Sequence, residues 1–329
     1  MLTVPTRAGF GKRDPLIILI MTAKSFDAPK LANAPQWFRE ALYVPREDRT
    51  VDVDGCPIHY LLWGDDASKP GLLLVHGMGA HAHWWSFIAP FFTDHYRVAA
   101  IDFGGFGDSG YRDNYSATGF VNELMGVCAD AGFGEDTIIV GHSFGGFVTL
   151  QTAVEHGTQL KGVVLVDSPV RPPDYDWESR PRTAPIRPKK TYPDRKSAID
   201  RFRLRPPQEC ANTYIMDYIA AHSVREANGG WEWKFDDNLL KTFKRGSMST
   251  DLAGIPCRTA VIFGEESKLF SQEIADYMFK VLDSSVPFVS IPEAEHHIWL
   301  DQPLAFISTL RTLLAEWRHS RPQRGDRHL

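Results

Sequence analysis

The stretch Asp136-Thr137-Ile138-Ile139-Val140-Gly141-His142-Ser143-Phe144-Gly145-Gly146 decides the fold. Its first five residues read as a short buried strand, and the G-x-S-x-G that follows marks a sharp turn from strand into helix with Ser143 at the apex. The apex of such a turn adopts a strained backbone, and glycines two residues before and two after it remove the Cβ clashes that would forbid the path. Ser143 is therefore a candidate nucleophile whose Oγ stands at the top of a sheet. The N–H of Phe144 points the same way from the first turn of the helix, where unpaired amides favour a developing negative charge. Five common residues can match by chance, so the rest of the chain carries the case.

Outward from this turn, continuous apolar runs at 71–75, 97–101, 137–140, 162–166, 259–263 and 287–291 have the length and composition of strands buried on both faces. Helical patterns at 116–131, 147–156, 271–282 and 304–317 alternate with them, which predicts a mostly parallel central sheet with helices on both faces and ligands at the carboxyl ends of the strands. Two alternating runs, 50–54 and 58–63, predict an opening hairpin. Between Pro169 and Pro193 stand seven prolines, and patches at 210–222 and 238–243 follow. This segment reads as an inserted helical cap over the site. The expected organisation is an N-terminal extension at 1–49, a core at 50–168 and 249–318, the cap at 169–248 and a flexible basic tail at 319–329. Of the cap aromatics Trp177, Tyr192, Tyr214, Tyr218, Trp231 and Trp233, most are expected to pack the cap and some to line an apolar pocket.

A chain of 329 residues, 43% hydrophobic, accommodates one such core with its insertion. Net charge −5 gives no basic footprint for nucleic acid. The four cysteines are widely spaced and suggest neither a zinc site nor a disulfide framework. The apolar run 16–21 is too short to span a bilayer and precedes no small-residue cleavage site. It reads as an ordinary apolar stretch, a weak export signal or sequence upstream of a start at Met21. A cytoplasmic protein without a membrane partner is expected; the oligomeric state stays open.

His76-Gly77-Met78-Gly79 follows the run at 71–75, where a second oxyanion donor, the Met78 amide, is expected beside that of Phe144. A base is expected in the segment Ile291–Pro303, where His296 and His297 are adjacent and spacing alone does not choose between them. His81, His83, Trp84 and Trp85 read as pocket wall or helix packing, since no Cys or carboxylate stands at ligand spacing. Gly77, His142 and Trp84 are expected to touch substrate.

These motifs, together with Asp102-Phe103-Gly104-Gly105-Phe106-Gly107-Asp108-Ser109, make the chain similar to the α/β-hydrolase superfamily, in particular its bacterial serine esterase-like group with a helical cap, over roughly residues 50–318. The resemblance implies His296 as base, because the family's histidine stands seven residues before the proline of an x-Q-P element. It also implies that the Asp102–Ser109 loop is structural. The family's usual acid position, three residues after the glycine of Gly264-Glu265-Glu266-Ser267, holds a serine. Asp167, at the end of the 162–166 strand, is the expected acid, since some members supply it from there; Glu266 is the alternative and Glu265 a third.

The resemblance implies a carboxylesterase-like reaction through an acyl-enzyme on small to medium apolar esters, with water as co-substrate and no cofactor or metal. A serine at the apex argues against dehalogenase and epoxide hydrolase chemistry, which uses Asp there. Hydrolysis of a carbon–carbon bond in a ring-cleavage product, perhydrolase or amidase activity, and a non-catalytic receptor are the alternatives.

Overall fold

A computed structural model describes residues 32–175, 189–243, 252–282 and 286–320. The apolar run 16–21, Trp177 and most of the tail lie outside them. An eight-stranded sheet has the order β1 (Arg46–Val53), β2 (Cys56–Trp63), β4 (Arg97–Ile101), β3 (Gly71–Val75), β5 (Ile138–His142), β6 (Gly162–Val166), β9 (Arg258–Gly264), β10 (Phe288–Ile291). Only β1 against β2 and β2 against β4 are antiparallel.

The apolar runs are explained by two-sided burial. Leu72 and Leu74 of β3, with Val140, Val164 and Ile262 of its neighbours, face one hydrophobic layer, while Leu73, Val75, Ile139, Leu165 and Val261 face the other. Alternate side chains thus enter opposite cores and every residue of β3 is buried. Helices α2 (Ala117–Asp130), α3 (Phe144–His156) and α7 (Gln272–Val281) contribute to the second layer, and α8 (Ile298–Asp301) and α9 (Pro303–His319) to the first. Ser116 caps α2, accepting from the Gly119 N–H, and proline at the first position starts α9. From β3 the chain passes to β4 on one side and then to β5 on the other. The carboxyl ends of β3 and β5 therefore flank a switch point, where such sheets hold ligands.

Two expected boundaries move, and the inserted segment differs in content. The hairpin starts at Arg46, and the preceding helix α1 (Gln36–Tyr43) buries Phe38 completely against Phe87, so the end of the supposed extension at 1–49 belongs to the packed body. At the other terminus α9 runs through His319, because Arg258 of β9 donates to the carbonyls of Trp317 and Ser320. The inserted segment, expected to be helical, contains α4 (Arg195–Ile199), α5 (Thr213–His222) and α6 (Leu239–Thr242), but also a hairpin of β7 (Val224–Ala227) and β8 (Gly230–Trp233). Asn228 and Gly229 form its two-residue turn with φ of 53° and 74°. Asn-Gly is the pair such a turn selects.

Candidate active site

The strand-to-helix turn has the backbone its sequence requires. Ser143 sits at φ 53°, ψ −116°, a region non-glycine residues seldom enter. Its flanking glycines have no room for a side chain: a Cβ on Gly145 would lie 2.4 Å from the His76 carbonyl oxygen, and one on Gly141 2.2 Å from Thr149 Oγ1. Oγ of Ser143 projects to His296, 3.0 Å from Nε2. On the other side of the ring, His296 Nδ1 lies 2.8 Å from Asp167 Oδ1. Asp167, fully buried, accepts the hydrogen bond from Nδ1–H, which leaves Nε2 to accept from the serine hydroxyl.

Ser267 occupies the place where the resemblance implied an acid, and its hydroxyl donates to the same Asp167 Oδ1 at 2.8 Å, while the Gly264 N–H donates to Oδ2 at 2.9 Å. The carboxylate from β6 thus uses the position after β9 as a hydrogen-bond donor. Glu265 and Glu266 are exposed, and neither contacts His296. His297 turns away from Ser143: its ring packs on Trp84 at 5.2 Å and burial holds it well below the usual histidine pKa.

The loop after β3 approaches the same point. Ala80 N–H donates to the Gly77 carbonyl and Gly79 has φ 75°, a tight turn with Met78 at its second position. A Cβ on Gly77 would lie 2.9 Å from His142 Nδ1 and 3.2 Å from Ser143 Cβ, so a side chain there would press on both. The N–H of Met78 has no acceptor among the described residues, and Phe144 is the first residue of α3. His76 anchors the loop: its Nε2 accepts from the Phe103 N–H at 3.1 Å and Nδ1 donates to the Gly77 carbonyl at 2.8 Å. Burial keeps this imidazole neutral, as the acceptor role demands.

Two of three supports, His142 and Gln208, had no clear sequence signal for that role, while Asp102 lies in the loop that the resemblance implied to be structural. His142, expected to touch substrate, is buried and bonds the His296 carbonyl through Nε2 at 3.0 Å, bracing the histidine loop rather than lining a pocket. Gln208 of the inserted segment accepts from the His297 N–H and donates to Asp301, which itself accepts from the Glu295 N–H. Asp102 accepts from Ala82 and Asp108 amides and lies 2.7 Å from His59. Burial opposes protonation of His59, but its bonds to Asp102 and Asp48 outweigh it and raise the pKa to about 10.

Two groups of ligand-type side chains converge among the described residues, His142 with His296 and His297, and His59 with Asp102 and Asp108. In the first, both His296 nitrogens are engaged by Ser143 and Asp167; in the second, both Asp102 oxygens are engaged. Both sets are thus already held by hydrogen bonds within the protein.

A cavity of about 820 Å³ is lined by Met78, Gly79, Trp84 and His297 from the core and by residues within 189–205 and 233–237 of the insertion. Trp84, Tyr192 and Trp233 line it. Its cationic lining was not anticipated. In Arg201-Phe202-Arg203-Leu204-Arg205 the alternation buries Leu204 and leaves the three arginines solvent-accessible along the cavity lining.

Residues 72–309 match the family model described as the alpha/beta hydrolase family. Over 294 residues the chain is 25% identical to a 2-hydroxy-6-oxo-6-(2'-aminophenyl)hexa-2,4-dienoic acid hydrolase of Metapseudomonas resinovorans, covering 84% of this chain and 92% of that one. Among solved structures, an E-2-(acetamidomethylene)succinate hydrolase superposes with TM-score 0.67 at 18% identity, covering 82% of this chain and 100% of that chain. A thioesterase domain from the curacin biosynthetic pathway superposes with TM-score 0.66 at 21% identity, over 81% of this chain and 99% of that chain. At these identities the superpositions establish the fold alone.

Proposed function

The chain belongs to the alpha/beta hydrolase family, and from that premise we propose that it is a serine hydrolase acting on small molecules by acyl transfer to water. The observation that carries the reading is the hydrogen-bonded chain Ser143–His296–Asp167, at 3.0 Å and 2.8 Å, on a strained turn. In the proposed reaction His296 Nε2 takes the proton of Ser143 as Oγ attacks the carbonyl, and Asp167 stabilises the imidazolium and fixes its tautomer. The Met78 and Phe144 amides hold the oxyanion, each contributing on the order of 100-fold or more to turnover. His296 then returns the proton to the leaving group, and activates the water that cleaves the acyl-enzyme.

Carboxylic esters are the first substrate class. Hydrolysis of a carbon–carbon bond in an oxo-acid is the second reading, favoured by similarity to the relative named for an oxo-dienoic acid over most of both chains. Aryl esters and a vinylogous diketone acid, assayed side by side, decide between them. A burst of phenol equal to the enzyme concentration supports acyl transfer from esters; turnover of the diketone acid alone supports the second reading. Loss of both activities in Ser143→Ala is expected in either case, and retention of activity there removes the serine mechanism.

A further inference from the structure

The chain carries a net charge of −5, yet the cavity bordered by Met78 and His297 is lined by Lys189, Lys190, Arg201, Arg203, Arg205 and Lys234 against a single carboxylate, Asp237. Three of these cations are committed. Lys189 lies 3.0 Å from Glu232, Lys234 lies 2.6 Å from Asp108, and the Arg203 guanidinium donates to the carbonyls of Asp200 and Phe202. Among the described residues Lys190, Arg201 and Arg205 have no carboxylate partner. Asp237 forms no ion pair with them: its Oδ2 accepts from the Lys189 main-chain N–H at 2.7 Å and its Oδ1 has no hydrogen-bond partner among the described residues.

Like charges gathered on one lining repel each other, and low-dielectric walls such as Trp84, Leu204 and Trp233 focus their field into the cavity. An anion entering from water relieves that repulsion. Guanidinium groups hold a carboxylate through paired N–H bonds, a geometry that a neutral acyl chain cannot use. The cavity, at about 820 Å³, is of the size that takes a whole small molecule.

We propose that the substrate carries a second, non-reacting carboxylate, held by Lys190, Arg201 and Arg205 while the scissile carbonyl lies at Ser143 with its chain against Trp84 and Trp233. This rests on the serine hydrolase reading and replaces purely apolar esters with half-esters or oxo-acids as the substrate class.

The test compares p-nitrophenyl half-esters of succinate, glutarate and adipate with p-nitrophenyl esters of neutral acyl chains of equal length. At low salt the best half-ester is expected to exceed its neutral partner in kcat/KM by about tenfold or more. That preference should shrink as sodium chloride rises from about 0.05 M to about 0.5 M. In the double variant Arg201→Gln/Arg205→Gln, with folding verified by its thermal melt, the ratio should fall towards one. A ratio at or below one in the wild type, or a preference undiminished in the double variant, overturns the proposal while leaving the hydrolase reading intact. A separate titration of Ser143→Ala protein with glutaramate and pentanamide reads binding without turnover. Tighter binding of glutaramate supports the anion site, equal binding removes it, and neither outcome depends on the serine chemistry.

Discussion

At the residue scale the chemistry turns on which carboxylate serves His296. Asp167 is fully buried and bonded to His296 Nδ1, Ser267 Oγ and the Gly264 N–H, whereas Glu266 is exposed. Asp167→Asn is expected to lower kcat by about 10³- to 10⁴-fold, because the amide favours the wrong imidazole tautomer. Glu266→Gln should stay within about twofold, as exposed substitutions away from the chemistry do. Steady-state kinetics on folded variants separates the two; equal losses would contradict the assignment. Since Ser267 Oγ reaches the same carboxylate oxygen as the imidazole, a carboxylate placed there approaches the ring. Asp167→Asn/Ser267→Asp is therefore expected to recover about tenfold or more of the lost turnover. The turn at Ser143 was legible because it stands at a strand end in a short motif, whereas His296 was singled out from its neighbour His297 only by the resemblance. His142 as a brace was not legible, because its partner is a main-chain carbonyl 154 residues away. Gln208 was hidden for the same reason: nothing local marks a glutamine as the clamp of a distant loop.

Among the elements, the strands were readable where both faces are buried, since an unbroken apolar run admits few alternatives. Boundaries failed where long-range contacts extend an element. β1 continues back to Arg46 because each of its residues pairs with β2, and α9 continues to His319 because Arg258 caps it. The β7–β8 hairpin was legible in Asn228-Gly229 but was overshadowed by the helical patches around it. The turn between β5 and α3 is the element on which the site depends. Gly145→Ala places a Cβ 2.4 Å from the His76 carbonyl, a main-chain atom that cannot swing aside. Its expected effect is a loss of about 1–3 kcal/mol in stability together with a larger loss in kcat, as the Met78 turn is pushed away from Ser143. Urea unfolding and steady-state kinetics check this, and a variant of unchanged stability and rate would contradict the tight packing described.

On the scale of the whole molecule, the inserted segment is joined to the core by buried imidazoles. His81 Nε2 lies 2.9 Å from Ser223 Oγ, His83 Nδ1 lies 3.1 Å from the Tyr218 hydroxyl, and the His83 and His222 rings stack at 4.1 Å. Burial holds all three below the ordinary histidine pKa, His222 at about 4. Below pH ~6.5 the unfolded chain therefore binds protons that the folded chain refuses, and stability is lost as pH falls from that value towards about 4. His59 has the opposite sign: its contribution is complete below pH ~6.5 and is lost as pH rises through about 10. Urea unfolding should give a free energy lower by about 2 kcal/mol or more at pH ~5 than at pH ~7.5, and a value unchanged across that range would contradict the buried neutral cluster. No helix among the described residues is long and apolar enough to cross a membrane. All of the chemistry proposed for this molecule requires that Ser143 be a nucleophile activated by His296. The most direct measurement is intact mass after exposure to a fluorophosphonate, followed by peptide mapping. One adduct per chain, on Ser143, abolished in Ser143→Ala and slowed in His296→Ala, is the expected result; no adduct, or an adduct on another residue that leaves Ser143 free, would contradict the account.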